Sequence, residues 1–206
     1  MRFKKIICLL LILLALVSLC ACSSSEADGR FIVSAIGADS DGEQIILSVQ
    51  TIEIGEGDFD EPPEVKVLTS SAKSPEGALK KLKAKSIKPL NFDHCAVMLC
   101  SSELTAEHFI KMRELCMQRK DINLAITVCV TENCRRILET EKSTGFSSGY
   151  DVAVLIESYM KQNGKKFKCK FYEIAKSDDI VLPFITYKDE TLCISGTAEI
   201  KTVGKR

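Results

Sequence analysis

FIVSAIGADSDGEQIILSVQTIEI, residues 31–54, decides how the chain begins to fold. Residues 31–38 and 44–54 are rich in β-branched and aliphatic side chains, and Asp39-Ser40-Asp41-Gly42-Glu43 lies between them. Asp-Gly flanked by two such runs is a strong short-range hairpin signal, because both residues tolerate the left-handed backbone of a tight turn. An antiparallel pair is therefore predicted at the start of the folded part.

Outward from that hairpin the pattern changes. Gly55 to Glu64 carries acid, glycine and proline without an apolar period, and reads as a loop. Its carboxylates do not follow the alternating ligand spacing of an EF-hand. Residues 65–70 read as a strand with Val65 and Val67 on one face. Ser74-Pro75-Glu76 then opens a helix, serine being a favoured N-cap and proline suiting the first turn. Ala78, Leu79 and Leu82 form its inward stripe, while Lys80, Lys81, Lys83 and Lys85 make a basic face. That face reads either as solvated surface or as a contact for anionic lipid head groups.

Residues 94–100 and 123–131 are continuous apolar runs and read as buried strands. Between them, 105–119 reads as a helix with Ala106, Phe109, Ile110, Cys116 and Met117 inward. Residues 132–141 read as a short helix and 142–150 as a Ser/Gly-rich connection. The segment 151–162 reads as a helix burying Val152, Leu155, Ile156 and Tyr159, stopped by Asn163-Gly164. Residues 166–174, 180–186 and 192–201 look strand-like. The predicted class is α+β: a mixed β-sheet, made of an N-terminal antiparallel hairpin plus strand-helix repeats, with helices packed on it.

Ahead of the hairpin stands a leader. Arg2, Lys4 and Lys5 precede an apolar run from Ile6 to Leu19, and Leu19-Cys20-Ala21-Cys22 is followed by Ser23-Ser24-Ser25. A basic start, a short apolar core and a small residue before a cysteine match an export signal that is removed. The run is shorter than the roughly 20 residues a spanning helix needs. Leu19-Cys20-Ala21-Cys22 resembles a bacterial lipobox, which makes Cys22 the lipidated first residue of the mature chain. Cys20 is the rival acceptor, but bulky Leu19 precedes it where cleavage favours a small residue. The organisation expected is 1–21 signal peptide, 22–30 tether, 31–175 mixed α/β domain, and 176–206 the start of a second β-containing region. Because two acyl chains anchor firmly where one does not, the folded part is expected to work at a membrane surface.

Of 28 Lys+Arg, three lie in the leader, leaving 25 against 28 Asp+Glu. Lysines are interleaved with acids, so the basic patch that releases phosphate counterions is missing and nucleic acid is not an expected partner. Seven cysteines lie beyond Cys22: Cys95, Cys100, Cys116, Cys129, Cys134, Cys169 and Cys193. An odd count argues against a complete disulfide framework, and those in apolar runs read as small buried hydrophobes.

Few strings suggest chemistry. Gly145-Phe146-Ser147-Ser148-Gly149 spells a nucleophile elbow, yet a polar helix precedes it and both histidines, His94 and His108, lie upstream, whereas an elbow serine is followed by its histidine. His94, Cys95, Cys100 and His108 are metal-ligand types, but their spacing matches no zinc motif. No catalytic residue, metal ligand or cofactor site is assigned.

Read from Phe31, Ile32-Val33-Ser34-Ala35-Ile36-Gly37-Ala38-Asp39 with Leu47-Ser48-Val49-Gln50 resembles the opening of the spore germination Ger(x)C lipoproteins. Ser74, Glu76, Ala78 and Leu79 resemble that family's serine-capped helix. Phe92-Asp93-His94 with Ser102-Glu103-Leu104, and 123–131 with Ile137-Leu138-Glu139, follow in the family's order. The resemblance implies a non-catalytic subunit of a germinant receptor, lipid-anchored through Cys22 on the extracytoplasmic face of the inner spore membrane, beside integral membrane subunits. It also implies a continuation, since Ile194 to Ile200 resembles the strand that opens the family's second region, here cut short at Arg206. Gly37 is expected to serve a close backbone approach, Asp39 the turn, and His94 the start of a buried strand. The alternative is a general extracytoplasmic ligand-binding lipoprotein of a transport system, which the same anchor and α/β pattern would suit.

Overall fold

The computed structural model describes residues 29–53, 64–140, 147–164 and 166–201; the leader, Cys22 and most of the tether, the acidic stretch 54–63 and residues 141–146 lie outside the described residues. The chain divides after Arg30, and the unit beginning at Phe31 carries the fold.

The opening hairpin forms as read. Strand β1 (Phe31–Ser40) pairs antiparallel with β2 (Ile45–Glu53), from Ser40↔Ile45 down to Ile32↔Ile52. The turn is held by Asp41, whose Oδ1 accepts from the amides of Glu43 (3.0 Å) and Gln44 (2.7 Å), and Gly42 takes φ +95°. A side chain there would be strained. Strand β3 (Glu64–Ala72) adds antiparallel to β2, and Ser74 then caps helix α1 (Pro75–Lys85) by accepting from the Gly77 amide at 3.2 Å. The chain returns as β4 (Leu90–Asn91) and β5 (Val97–Ser101), both parallel to β1. The remaining elements are α2 (Ala106–Gln118), β6 (Thr127–Thr131), α3 (Cys134–Leu138), α4 (Ser148–Asn163), α5 (Phe171–Ile174), β7 (Asp179–Lys188) and β8 (Thr191–Lys201).

One mixed sheet results, in the order β3-β2-β1-β5-β6-β7-β8 with β4 beside β1. Directly paired residues share a face of a sheet. Ala38, Leu47 and Ser70 are paired in turn, and Ser70 Oγ donates to the Ala78 carbonyl of α1 at 2.6 Å, so α1 covers that face. Gly37, Ser48 and Thr69 occupy the other face, where a Cβ on Gly37 would stand 2.7 Å from Cys134 Cβ and 3.3 Å from Leu138 Cδ1 of α3. Helices therefore cover both faces of the central strands, which explains why β5 and β6 are buried at every position.

Several boundaries differ from the sequence reading, each for a local reason. The apolar run 94–100 becomes a strand only at Val97, because Asn91 Oδ1 accepts from the Asp93 amide and Cys95 N donates to Phe92 O, folding 92–95 into a turn. Likewise 123–131 becomes a strand only at Thr127, after Asn123 Oδ1 accepts from the Ala125 amide. Helix α2 buries His108, Phe109, Met112, Leu115 and Cys116, whereas Ala106 and Met117 are exposed; a polar residue on the inner face hid the true stripe. Helix α4 starts at Ser148, three residues before its expected start, because Ser147 is its cap.

The segment 166–174 is not a strand. Lys170 makes one bridge to Thr127, and Glu173 Oε2 then accepts the Lys170 amide at 2.9 Å, turning the chain into α5. Residues 179–201 join the same sheet: β7 runs parallel to β6 at Val130↔Phe184 and Thr131↔Ile185, and β8 pairs with β7 along its length.

Candidate functional site

The candidate groups of the sequence are not brought together. Ser147 is fully buried, and its hydroxyl accepts from the Tyr150 amide at 3.3 Å as the cap of α4. His94 is exposed in the turn before β5 instead of opening a buried strand, and its carbonyl accepts from the Tyr150 hydroxyl at 3.2 Å. His108 lies at the opposite end of β5, buried, with Nδ1 3.1 Å from Ser40 Oγ. Among the described residues no group of three or more His, Cys, Asp or Glu side chains is placed to hold a metal ion.

Among the described residues the seven cysteines are free and, except for Cys193, buried. Burial pushes the Cys95 and Cys116 thiols up to about 12 and that of Cys169 to about 11. Thiolate is the reactive form, so these groups are inert at neutral pH. Asp39 does not serve the hairpin turn. Its Oδ1 accepts from the Cys134 amide at 3.0 Å, which ties the end of β1 to the start of α3, and burial raises its carboxyl above the ordinary value.

What the sequence reading missed is a buried polar cluster around Gln50. Its Nε2 donates to Leu138 O (2.7 Å) and Ser148 Oγ (2.8 Å), while its Oε1 accepts from Ser34 Oγ (2.9 Å) and Gly149 N (3.1 Å). Ser34 is placed for this by the irregular register between Val33 and Ala35. A Cβ on Gly149 would come within 2.5 Å of Ala35 Cβ, so the start of α4 approaches the sheet as only glycine allows. Both Gln50 amide protons and its carbonyl are in use. The cluster thus locks α3 and α4 to β1 and β2 and leaves Gln50 with nothing to offer a ligand. A glutamine within an apolar strand and the Ser-Ser-Gly string were its only traces in the sequence.

A cleft of about 60 Å³ opens beyond the carboxyl ends of β6 and β7, bounded by Thr131, Glu132, Asn133, Arg136 and Tyr187. It lies where α/β sheets commonly bind ligands, yet it has room for only a few waters. On the far edge of the sheet, Lys81 Nζ donates to Ser71 O (2.7 Å) and Lys85 Nζ to Thr69 O (2.9 Å). Half of the basic face read from α1 thus covers outward carbonyls of edge strand β3, a recognised way to block pairing with another chain.

A family model described as the spore germination protein N-terminal domain matches residues 23–187 of the 206. The chain belongs to that family, and its role is in spore germination. No curated protein and no solved structure matches it. The match begins one residue after Cys22 and runs through the sheet almost to the end of β7.

Proposed function

We propose that this protein is the lipid-anchored, non-catalytic subunit of a spore germinant receptor. Cys22 carries the lipid after removal of residues 1–21, residues 22–30 tether the domain, and the domain sits on the extracytoplasmic face of the inner spore membrane beside integral membrane subunits. The observation that carries the reading is the family match over 23–187, which starts directly behind the lipobox-like Leu19-Cys20-Ala21-Cys22. The arrangement of side chains supports a scaffold: the serine of the elbow-like string is a helix cap, six of the seven described thiols are buried, and the main buried polar cluster is internally saturated.

Deleting the gene is expected to slow nutrient-triggered germination while germination by a non-nutrient trigger proceeds. Normal nutrient germination, with no redundant receptor present, would refute the reading. The alternative, a ligand-binding lipoprotein of a transport system, requires a small-molecule site, and the cleft beyond β6 and β7, at about 60 Å³, is too small to be that site. Copurification with two germination membrane subunits favours the first reading, and copurification with a permease and an ATPase the second.

A further inference from the structure

The parallel strands β1, β5, β6 and β7 all begin at one end of the sheet. Leu90 is level with Phe31, and Thr127 is level with Val97 and thereby with Ala35. Phe31, where the chain enters the domain, donates its amide to Pro89 O at 2.9 Å, so the turn bearing Ile87 lies beside the point at which the tether arrives. Ile87 is 83% exposed.

Three more bare apolar groups share this end. Met117 is in the last turn of α2, whose next turn brings the Arg119 guanidinium 4.6 Å from the Phe92 ring beside β4. Leu124 precedes β6, and its carbonyl accepts from the Tyr172 amide at 3.0 Å. Among the described residues, four of the six exposed large apolar side chains, Ile87, Met117, Leu124 and Tyr172, are thus gathered at one end of the molecule. The other two lie toward the same end: Val154 shares a face of α4 with Tyr150 and Glu157, which reach His94 O and Lys170 Nζ, and Val181 is level with Thr127 in the β6–β7 register. Scattered exposed apolar residues are ordinary, whereas a gathering of them at one end marks a contact surface.

We propose that this end is a lipid-facing surface, with Ile87, Met117, Leu124 and Tyr172 dipping into the head-group region of the bilayer. The proposal rests on the Cys22 anchor. The stretch from Cys22 to Phe31 reaches at most ~30 Å when fully extended, so an anchored chain keeps the end bearing Phe31 within that distance of the membrane. Tyrosine with aliphatic neighbours suits the interface, where an apolar body and a polar tip are both accommodated. Apolar contact supplies the attraction.

The chain contains no tryptophan, so one introduced tryptophan reports alone. Full-length, lipidated Ile87→Trp, Leu124→Trp and, as a control exposed beyond the carboxyl end of β6, Glu132→Trp are reconstituted on phosphatidylcholine vesicles with and without brominated acyl chains, and flotation is measured in parallel. Blue-shifted emission quenched by brominated lipid is expected for Ile87→Trp and Leu124→Trp, with Glu132→Trp emitting as in water. Floating protein with water-like, unquenched emission at all three positions would overturn the lipid-facing surface and leave the anchor standing. Shielding that appears only when membrane subunits are added would likewise overturn it, in favour of a protein contact. Failure to float would remove the anchor itself.

Discussion

The β1–β2 hairpin, which closes through the four residues 41–44 inside the sheet, and the β7–β8 hairpin, which closes through two residues at its edge, differ in burial and in turn chemistry. β1–β2 is almost wholly buried, with helices on both faces, whereas no residue of β8 is fully buried. In the first, Gly42 takes the positive φ and Asp41 braces the turn, so local preference and tertiary contacts agree. In the second, Asp189 and Glu190 both adopt positive φ, 49° and 60°, in a two-residue turn that favours glycine. There the pairing with the rest of the sheet holds a turn that its own residues resist. The difference teaches that the central hairpin organises the domain, while the edge hairpin follows it.

Gln50 is the most severe test of that ordering. Gln50→Leu removes four buried hydrogen bonds and leaves the Gly149 amide without its acceptor, while Ser148 Oγ still donates to Leu138 O and Ser34 Oγ to the residue-50 carbonyl, so the loss should be about 3 kcal/mol in denaturant unfolding. A loss below about 1 kcal/mol would mean that the cluster does not bind α3 and α4 to the sheet. Gly149→Ala, which forces a Cβ against Ala35, should cost about 2 kcal/mol on the same assay. At the edge the sign reverses. Glu190→Gly should stabilise by about 0.5–1 kcal/mol, since the relief of left-handed backbone strain exceeds the entropy glycine loses. Destabilisation there would show that the Glu190 side chain contributes something beyond the turn.

The smallest effect separates the two regions without disturbing either. Native protein treated with an alkylating reagent near neutral pH should be modified at Cys193, on β8, and spared at Cys95, Cys100, Cys116, Cys129, Cys134 and Cys169 until it is unfolded. Mass spectrometry of peptides reads this directly. Rapid native labelling of Cys129 would contradict the burial of β6.

The hairpin, the cap at Ser74 and the stop at Gly164 were legible because each is fixed by residues within a few positions of one another. Longer-range features were not. Residues 166–174 alternate like a strand, but Glu173 accepting the Lys170 amide, and the Phe171 and Tyr172 amides donating to Ile126 O and Leu124 O, turn the chain helical after its bridge to Thr127. The inner face of α2 was misread because His108, which period counting treats as polar, is buried against Ser40. At the candidate site, Gly37 serves the close approach expected of it, whereas Asp39 and His94 do other work than their neighbours in sequence suggest. Gln50, Ser34 and Ser148 come from three separate segments, so no spacing rule could have joined them.

The central claim is that this family member acts as a domain tethered through Cys22. Its most direct test is metabolic labelling with a fatty acid in sporulating cells carrying the wild-type chain, Cys22→Ala or Cys20→Ala, with nutrient germination scored in the same strains. The account predicts labelling of wild type and Cys20→Ala, loss of label in Cys22→Ala, and slowed germination in Cys22→Ala alone. An unlabelled wild-type protein, or label that persists in Cys22→Ala with normal germination, would contradict it.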